Sequence, residues 1–256
     1  KLSRQVIKSF FPDVAKSKLI GHHIWTGIPC NDLSSALALQ QGGTTSNTIS
    51  IHLNGSPNNG SFYVQPGTDT WATDRLNPVD TYITRYKVYR PIGCKVDITV
   101  FSQDNGEVAP DGSVSNIQVA TPFMLYGFPC VFDPLDANTA DYGNEWDGTP
   151  GSGFTADTIP QMKYGFRRIS PGLGGKNIIK YSTYWDFAKI AGLTKEQYLS
   201  FPYFTCNAGE DGNSPLVSFM LVLALADYTP AVARQCTVDI KITQYGRWEG
   251  QELTFQ

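Results

Sequence analysis

The chain has 256 residues and carries a net charge of −3, with 12% aromatic residues, 24 Gly, 16 Pro and only 17% charged side chains. That length suits one large β domain, and aromatics punctuated by Gly and Pro favour strands and turns over a helical bundle. Five cysteines, an odd number with no pair at CxxC spacing, argue against a disulfide framework and a structural zinc site, and no apolar run approaches the ~20 residues of a membrane helix.

A basic segment comes first. Lys1, Arg4, Lys8, Lys16 and Lys18 stand against Asp13 alone in the first eighteen residues. No secretory leader is read there, so a reducing compartment is the default expectation. Residues 3–11 are expected to form a short helix ended by Pro12. Residues 1–44 are read as a basic arm and lead-in, and residues 45–256 as the folded domain.

Period-two alternation then recurs, which is the mark of strands with one buried face. Ile49, Ile51 and Leu53 alternate with Ser50 and His52 over 47–53. Cys94, Val96, Ile98 and Val100 do so over 94–101, Ile117 to Leu125 over 117–125, and Met162, Tyr164 and Phe166 over 162–168. Further strands are expected at 177–184, near 202–206, at 216–226 and at 236–243. The run LVSFMLVLALA at 216–226 reads as a strand buried on both faces. Residues 186–199 show a helical stripe of Phe187, Ile190, Leu193, Tyr198 and Leu199, which Gly192 weakens or splits. Eight strands with long polar connections, such as 54–61, 102–113 and 147–153, predict an all-β, single eight-stranded jelly-roll β-sandwich with one or two short helices.

Charge is sorted along the chain. Residues 96–162 hold ten acids and no Lys or Arg, whereas 163–195 carry Lys163, Arg167, Arg168, Lys176, Lys180, Lys189 and Lys195 against Asp186. Sorting of this kind gives surfaces of opposite sign. A basic terminus suits phosphate neutralisation without sequence reading. Arg85, Lys87 and Arg90 are further candidates, since RYKVYR interleaves cations with aromatic rings able to stack on bases.

Catalytic chemistry has little support. His22, His23 and His52 are too few and too scattered for a metal-binding jelly-roll enzyme, and adjacent residues on a strand face opposite ways. Glu145 and Asp147 have the i, i+2 spacing of paired glycosidase carboxylates, but their neighbours are Asn, Gly and Pro. PGLGG at 171–175 lacks the Lys-Ser/Thr of a phosphate loop. No enzyme activity, cofactor or metal is expected.

Three regions together resemble the capsid proteins of circovirus-like, Rep-encoding viruses with circular single-stranded DNA. They are YITRYKVYRPIGCKVDITVFSQ (82–103), RRISPGLGGKNIIKYSTYWDFAKIAG (167–192) and CTVDIKITQYGRW (236–248). The resemblance spans about residues 45–250. It implies a viral jelly roll that assembles with copies of itself into a small icosahedral T=1 shell around a single-stranded DNA genome. A virion location, host nucleus or cytoplasm during assembly, an unidentified host receptor and no membrane partner go with it. Family members usually open on a strongly basic arm, of which Lys1 to Lys18 is a thinner version. Lys1, Arg4, Lys8, Lys16, Lys18, Arg85, Lys87 and Arg90 are accordingly the candidate nucleic-acid contacts. Two alternatives stay open: the capsid of a small RNA virus, and a non-viral carbohydrate- or receptor-binding jelly-roll module presenting Trp71 and Trp146.

Overall fold

The computed structural model describes residues 14–32, 48–54, 64–65, 82–103, 122–132, 159–161, 163–171, 177–207, 215–227 and 235–251. The strands are β1 (Val14–Pro29), β2 (Asn31–Asp32), β3 (Thr48–His52), β4 (Val64–Gln65), β5 (Tyr86–Gln103) and β6 (Phe123–Phe132). They continue with β7 (Phe166–Ile169), β8 (Ile178–Asp186), β9 (Cys206–Asn207), β10 (Ser218–Asp227) and β11 (Gln235–Gln251). Two short helices, α1 (Phe187–Ile190) and α2 (Lys195–Ser200), follow β8.

The strands form two sheets. One runs β1-β11-β5-β8 with β9 on β5, the other β4-β3-β10-β6-β7 with β2 on β10. Taking the eight main strands in chain order, the first sheet is first-eighth-third-sixth and the second is second-seventh-fourth-fifth. Sequence neighbours repeatedly cross between sheets, which is the double Greek key of a jelly roll. The fold is an all-β jelly-roll sandwich.

Alternation builds the core. Cys94, Val96, Ile98 and Val100 of β5 meet Cys236, Val238, Ile240 and Ile242 of β11 on the inward side of the first sheet. Opposite them lie Ile51, Phe123, Leu125, Phe219, Leu221, Leu223 and Leu225 from the second sheet. Each such side chain contributes about 1.5–3 kcal/mol on burial. The intervening residues of β10, Val222, Ala224 and Ala226, are buried as well, in keeping with the unbroken apolar run. Cys94, Cys206 and Cys236 are buried, and Cys30 Sγ lies 3.2 Å from Cys236 Sγ. Burial alone pushes the Cys94 thiol well above its ordinary pKa.

The largest departure from the sequence reading is β1. Residues 14–29 fall in the segment assigned to the arm, yet they pair along β11 from Val14↔Glu249 to Pro29↔Gln235. The expected strand near 202–206 is a 3-10 turn over Pro202–Phe204 followed by two-residue β9. The third predicted strand, 117–125, is found as Phe123–Phe132 where it is described; residues 117–121 lie outside the described residues. The expected helix at 3–11 and the loop acids Glu145 and Asp147 lie outside the described residues.

Gly192 does divide the helical stripe, adopting φ +72° between α1 and α2. Asp186 caps α1 by accepting from Ala188 N at 3.0 Å. Thr194 and Gln197 form a reciprocal capping box on α2. The pair seals one end of the sandwich, with Phe187 stacked on Phe219 at 4.4 Å and Tyr198 on Phe204 at 4.4 Å.

A second, smaller core extends the first sheet. Leu19, Tyr86, Tyr89, Cys206 and Trp248 are all buried there. Tyr89 Oη donates to Gln244 Oε1 at 3.0 Å, and Gln244 Nε2 donates to Leu53 O at 3.1 Å. The Tyr89 ring lies against Gly246, where a Cβ would collide with it. Gly246→Ala should therefore cost about 1–3 kcal/mol, as overpacking does, read as a lowered urea midpoint with an unchanged m-value.

Candidate nucleic-acid interface

The outward face of the first sheet collects the cations. On β1, Leu19 is buried while Lys16, Lys18, Ile20 and His22 are exposed, because strand residues alternate between faces. The register sets Lys16 beside Arg247 and Lys18 beside Tyr245 on β11. Farther along, Thr243 meets Lys95, Lys241 meets Asp97, and Thr99 meets Lys180 of β8. Lys16, Lys18, Lys95, Lys180, Lys241 and Arg247 thus share one face with three carboxylates, Asp97, Asp239 and Glu249.

Each of those carboxylates is engaged. His22 Nε2 lies 2.7 Å from Asp239 Oδ1, and Arg247 Nε lies 2.9 Å from Glu249 Oε1. Lys95 Nζ sits 2.8 Å from Asp97 Oδ1, which also accepts from Ser182 Oγ at 2.5 Å. Partial burial pulls the Asp97 carboxyl upward. Hydrogen bonds from Lys95 and Ser182, with the charges of Lys95 and Lys241, outweigh it and hold the carboxyl below its ordinary value. The ion pair therefore persists above the usual carboxylate range and is lost as pH falls through the lowered pKa. Asp97 belongs by sequence to the long acidic stretch but by position to a basic face.

The sequence-predicted contacts divide four ways. Lys1, Arg4 and Lys8 lie outside the described residues. Lys16 and Lys18 are exposed on β1, held on a rigid strand. Arg85 and Lys87 are exposed where β5 begins, the Lys87 side chain facing Gly250 of β11. They therefore share an end of the sheet with Lys16.

Arg90 is a correction. It is 5% exposed, and its Nη1 donates to Tyr198 O at 3.0 Å and Phe201 O at 2.8 Å, with Nε 3.5 Å from Glu249 Oε1. Tyr198 returns the tie, its Oη donating to Pro91 O at 2.5 Å. Burial pushes the Tyr198 hydroxyl upward despite the charge of Arg90. The guanidinium satisfies the carbonyls at the end of α2 and is withdrawn from any surface partner. Alternation in RYKVYR suggested an exposed stack, but the helical insertion folds back over this position.

Lys95, Lys241 and Arg247 stand outside the basic runs of the sequence, and Lys180 joins them from the basic segment 163–195. The signal for Lys95 and Lys241 was the polar half of the alternation in 94–101 and 236–243, which becomes a charged face only when the strands are set side by side. Among the described residues, no three His, Cys, Asp or Glu side chains gather as metal ligands.

Neither a family model nor a curated protein matches this chain. Among solved structures it is similar to the decameric BFDV capsid protein at 8% identity, covering 92% of this chain and 99% of that one, with a TM-score of 0.42. It is also similar to a Desmodium yellow mottle tymovirus structure at 11% identity, covering 100% and 98%, TM-score 0.32. A semi-empty virus-like particle of the giant freshwater prawn Macrobrachium rosenbergii nodavirus matches at 11% identity, covering 96% and 99%, TM-score 0.35.

Two outcomes follow from this geometry. Arg90→Met should destabilise the chain by about 2–4 kcal/mol, because it strands the carbonyls of Tyr198 and Phe201, and leave surface charge binding unchanged. Asp97→Asn should strengthen oligonucleotide binding about threefold at low ionic strength, an effect that disappears in a salt titration once the face is screened.

Proposed function

We propose that this chain is a structural capsid protein, assembling with copies of itself into a small icosahedral shell that encloses a circular single-stranded DNA genome. The observation that carries the reading is the strand order: the two interleaved four-strand sequences make a sandwich that presents loops and edge strands to neighbours. The resemblance of residues 82–103, 167–192 and 236–248 to circovirus-like capsids points the same way and supplies the genome type. Exposed apolar side chains support self-association. Ile24 is 51% exposed and Ile20 37% exposed on the outward face of β1, a 16-residue strand at the sheet's margin.

In this reading the basic face and the arm lie inside the shell. Lys16 and Lys18 meet phosphate from a fixed strand, Lys1, Arg4 and Lys8 extend that contact, and Arg85 and Lys87 add to it at the end of the sheet. Such contacts release condensed counterions and need no base sequence. The particle itself is the functional location, so the protein works in the virion.

The full chain, expressed and imaged by electron microscopy before and after nuclease treatment, should give uniform closed particles holding protected single-stranded DNA. A monodisperse monomer at high concentration overturns the shell. Particles that protect RNA alone transfer the reading to an RNA genome.

A further inference from the structure

Two basic segments that are apart in sequence, 163–168 and 180–189, come together where β7 and β8 meet. Lys163 Nζ and Tyr164 Oη both donate to Lys189 O, each at 3.2 Å. Phe166 stacks on Tyr181 at 3.9 Å, and the Arg168 guanidinium lies 4.9 Å from the Tyr181 ring centre. Beside these contacts opens a cleft of about 350 Å³, lined by Tyr164, Tyr181, Thr183, Tyr184 and Lys189 among others. That volume is at the small end of ligand sites.

Three properties distinguish the cleft from an ordinary surface hollow. Its aromatic rings are presented to solvent, Tyr184 being 51% exposed and Tyr164 39% exposed. Tyr164 sits at φ +64°, a left-handed conformation that a bulky side chain seldom adopts, and hydrogen bonding to Lys189 O fastens it there. The charge around it is one-sided: Lys189 lines it, Lys163 reaches Lys189 O and Arg168 lies over the lining ring of Tyr181, against a single acid in the lining, Asp186, whose Oδ1 accepts from Ala188 N at 3.0 Å.

We propose that this cleft holds one nucleotide of a single-stranded nucleic acid, the base stacked on Tyr184 or Tyr164 and the phosphate met by Lys163, Lys189 and Arg168. Exposed rings beside cations accept any base, since every base has a stacking face, whereas a duplex keeps its bases paired inside. A sulfated polysaccharide would use the cations and leave the rings idle. The site deepens the reading of the chain as a container for a single-stranded genome and rests on it. The register places Tyr184 beside Lys95, its ring 5.8 Å from that of Tyr245, so the cleft borders the cationic sheet face and adds recognition of unpaired bases to its phosphate contacts.

The test uses the full chain, a fluorescein-labelled thymidine oligonucleotide followed by anisotropy, and duplex DNA and heparin as competitors. Tyr184→Leu should weaken binding about tenfold even at high salt, where stacking persists and phosphate attraction is screened. Lys189→Gln should instead flatten the salt dependence by about one phosphate contact. An oligonucleotide carrying 5-iododeoxyuridine should photocross-link to the peptide holding Tyr184 or Tyr164. Unchanged affinity in Tyr184→Leu, with cross-links elsewhere and heparin competing as well as the single strand, overturns the cleft as a nucleotide site. Electron microscopy of the same proteins separates the two readings. Closed particles without cleft cross-links leave the shell standing and remove the cleft. Cross-links at Tyr184 without particles keep the cleft and remove the shell.

Discussion

The structure depends on β11. This 17-residue strand lies hydrogen-bonded between β1 and β5, so it joins one of the earliest described parts of the chain to its middle. Its even-numbered residues, Cys236 through Ile242, fill the sandwich, and Gln244, Gly246 and Trp248 carry the same face into the smaller tyrosine-rich core. A strand placed so late in sequence and so centrally in space makes the fold rich in long-range contacts, and the loop-closure cost of bringing its partners together precedes the reward. The first sheet is complete only when β11 is in place.

That placement also arranges the charge. β11 offers Lys241 and Arg247 outward while its other side is buried, and β1 and β5 set Lys16, Lys18 and Lys95 beside them. A single flip of register would send these cations into the core, so hydrophobic burial fixes where the positive face lies. The positive face is thus a by-product of the same alternation that holds the sheets together. The carboxylates on this face are bound up locally, Asp97 by Lys95 and Ser182, Asp239 by His22, which tempers the positive face without abolishing it.

The helical insertion shows a different balance. Arg90 donates to Tyr198 O and Tyr198 Oη donates to Pro91 O across the join between β5 and α2, and Phe187 and Phe204 close over Phe219. Burying a guanidinium costs desolvation, which two carbonyl acceptors and the nearby Glu249 offset. The insertion is therefore a lid on the core. Its outer surface then becomes one wall of the Tyr164–Lys189 cleft, so the packing of the lid decides whether that cleft exists.

Much of this was legible in the residues. Alternation over 47–53, 94–101 and 236–243 marked strands and their buried faces, because a period of two admits no other regular structure, and the unbroken apolar run at 216–226 marked a strand buried on both faces. Gly192 marked the break between α1 and α2, because φ +72° is open to it without strain. β1 was not legible: its inward side carries Ala15, Ser17, Gly21 and His23, while Ile20 and Ile24 point out, so the pattern is scrambled where β11 supplies the missing apolar surface. Arg90 read as an exposed base for the same reason, since only the fold brings the carbonyls of Tyr198 and Phe201 to it. Local sequence thus determined which residues turn inward along each strand. The tertiary structure alone decided which distant cations and rings share a surface, because that depends on strand order and register, which no short stretch of sequence encodes.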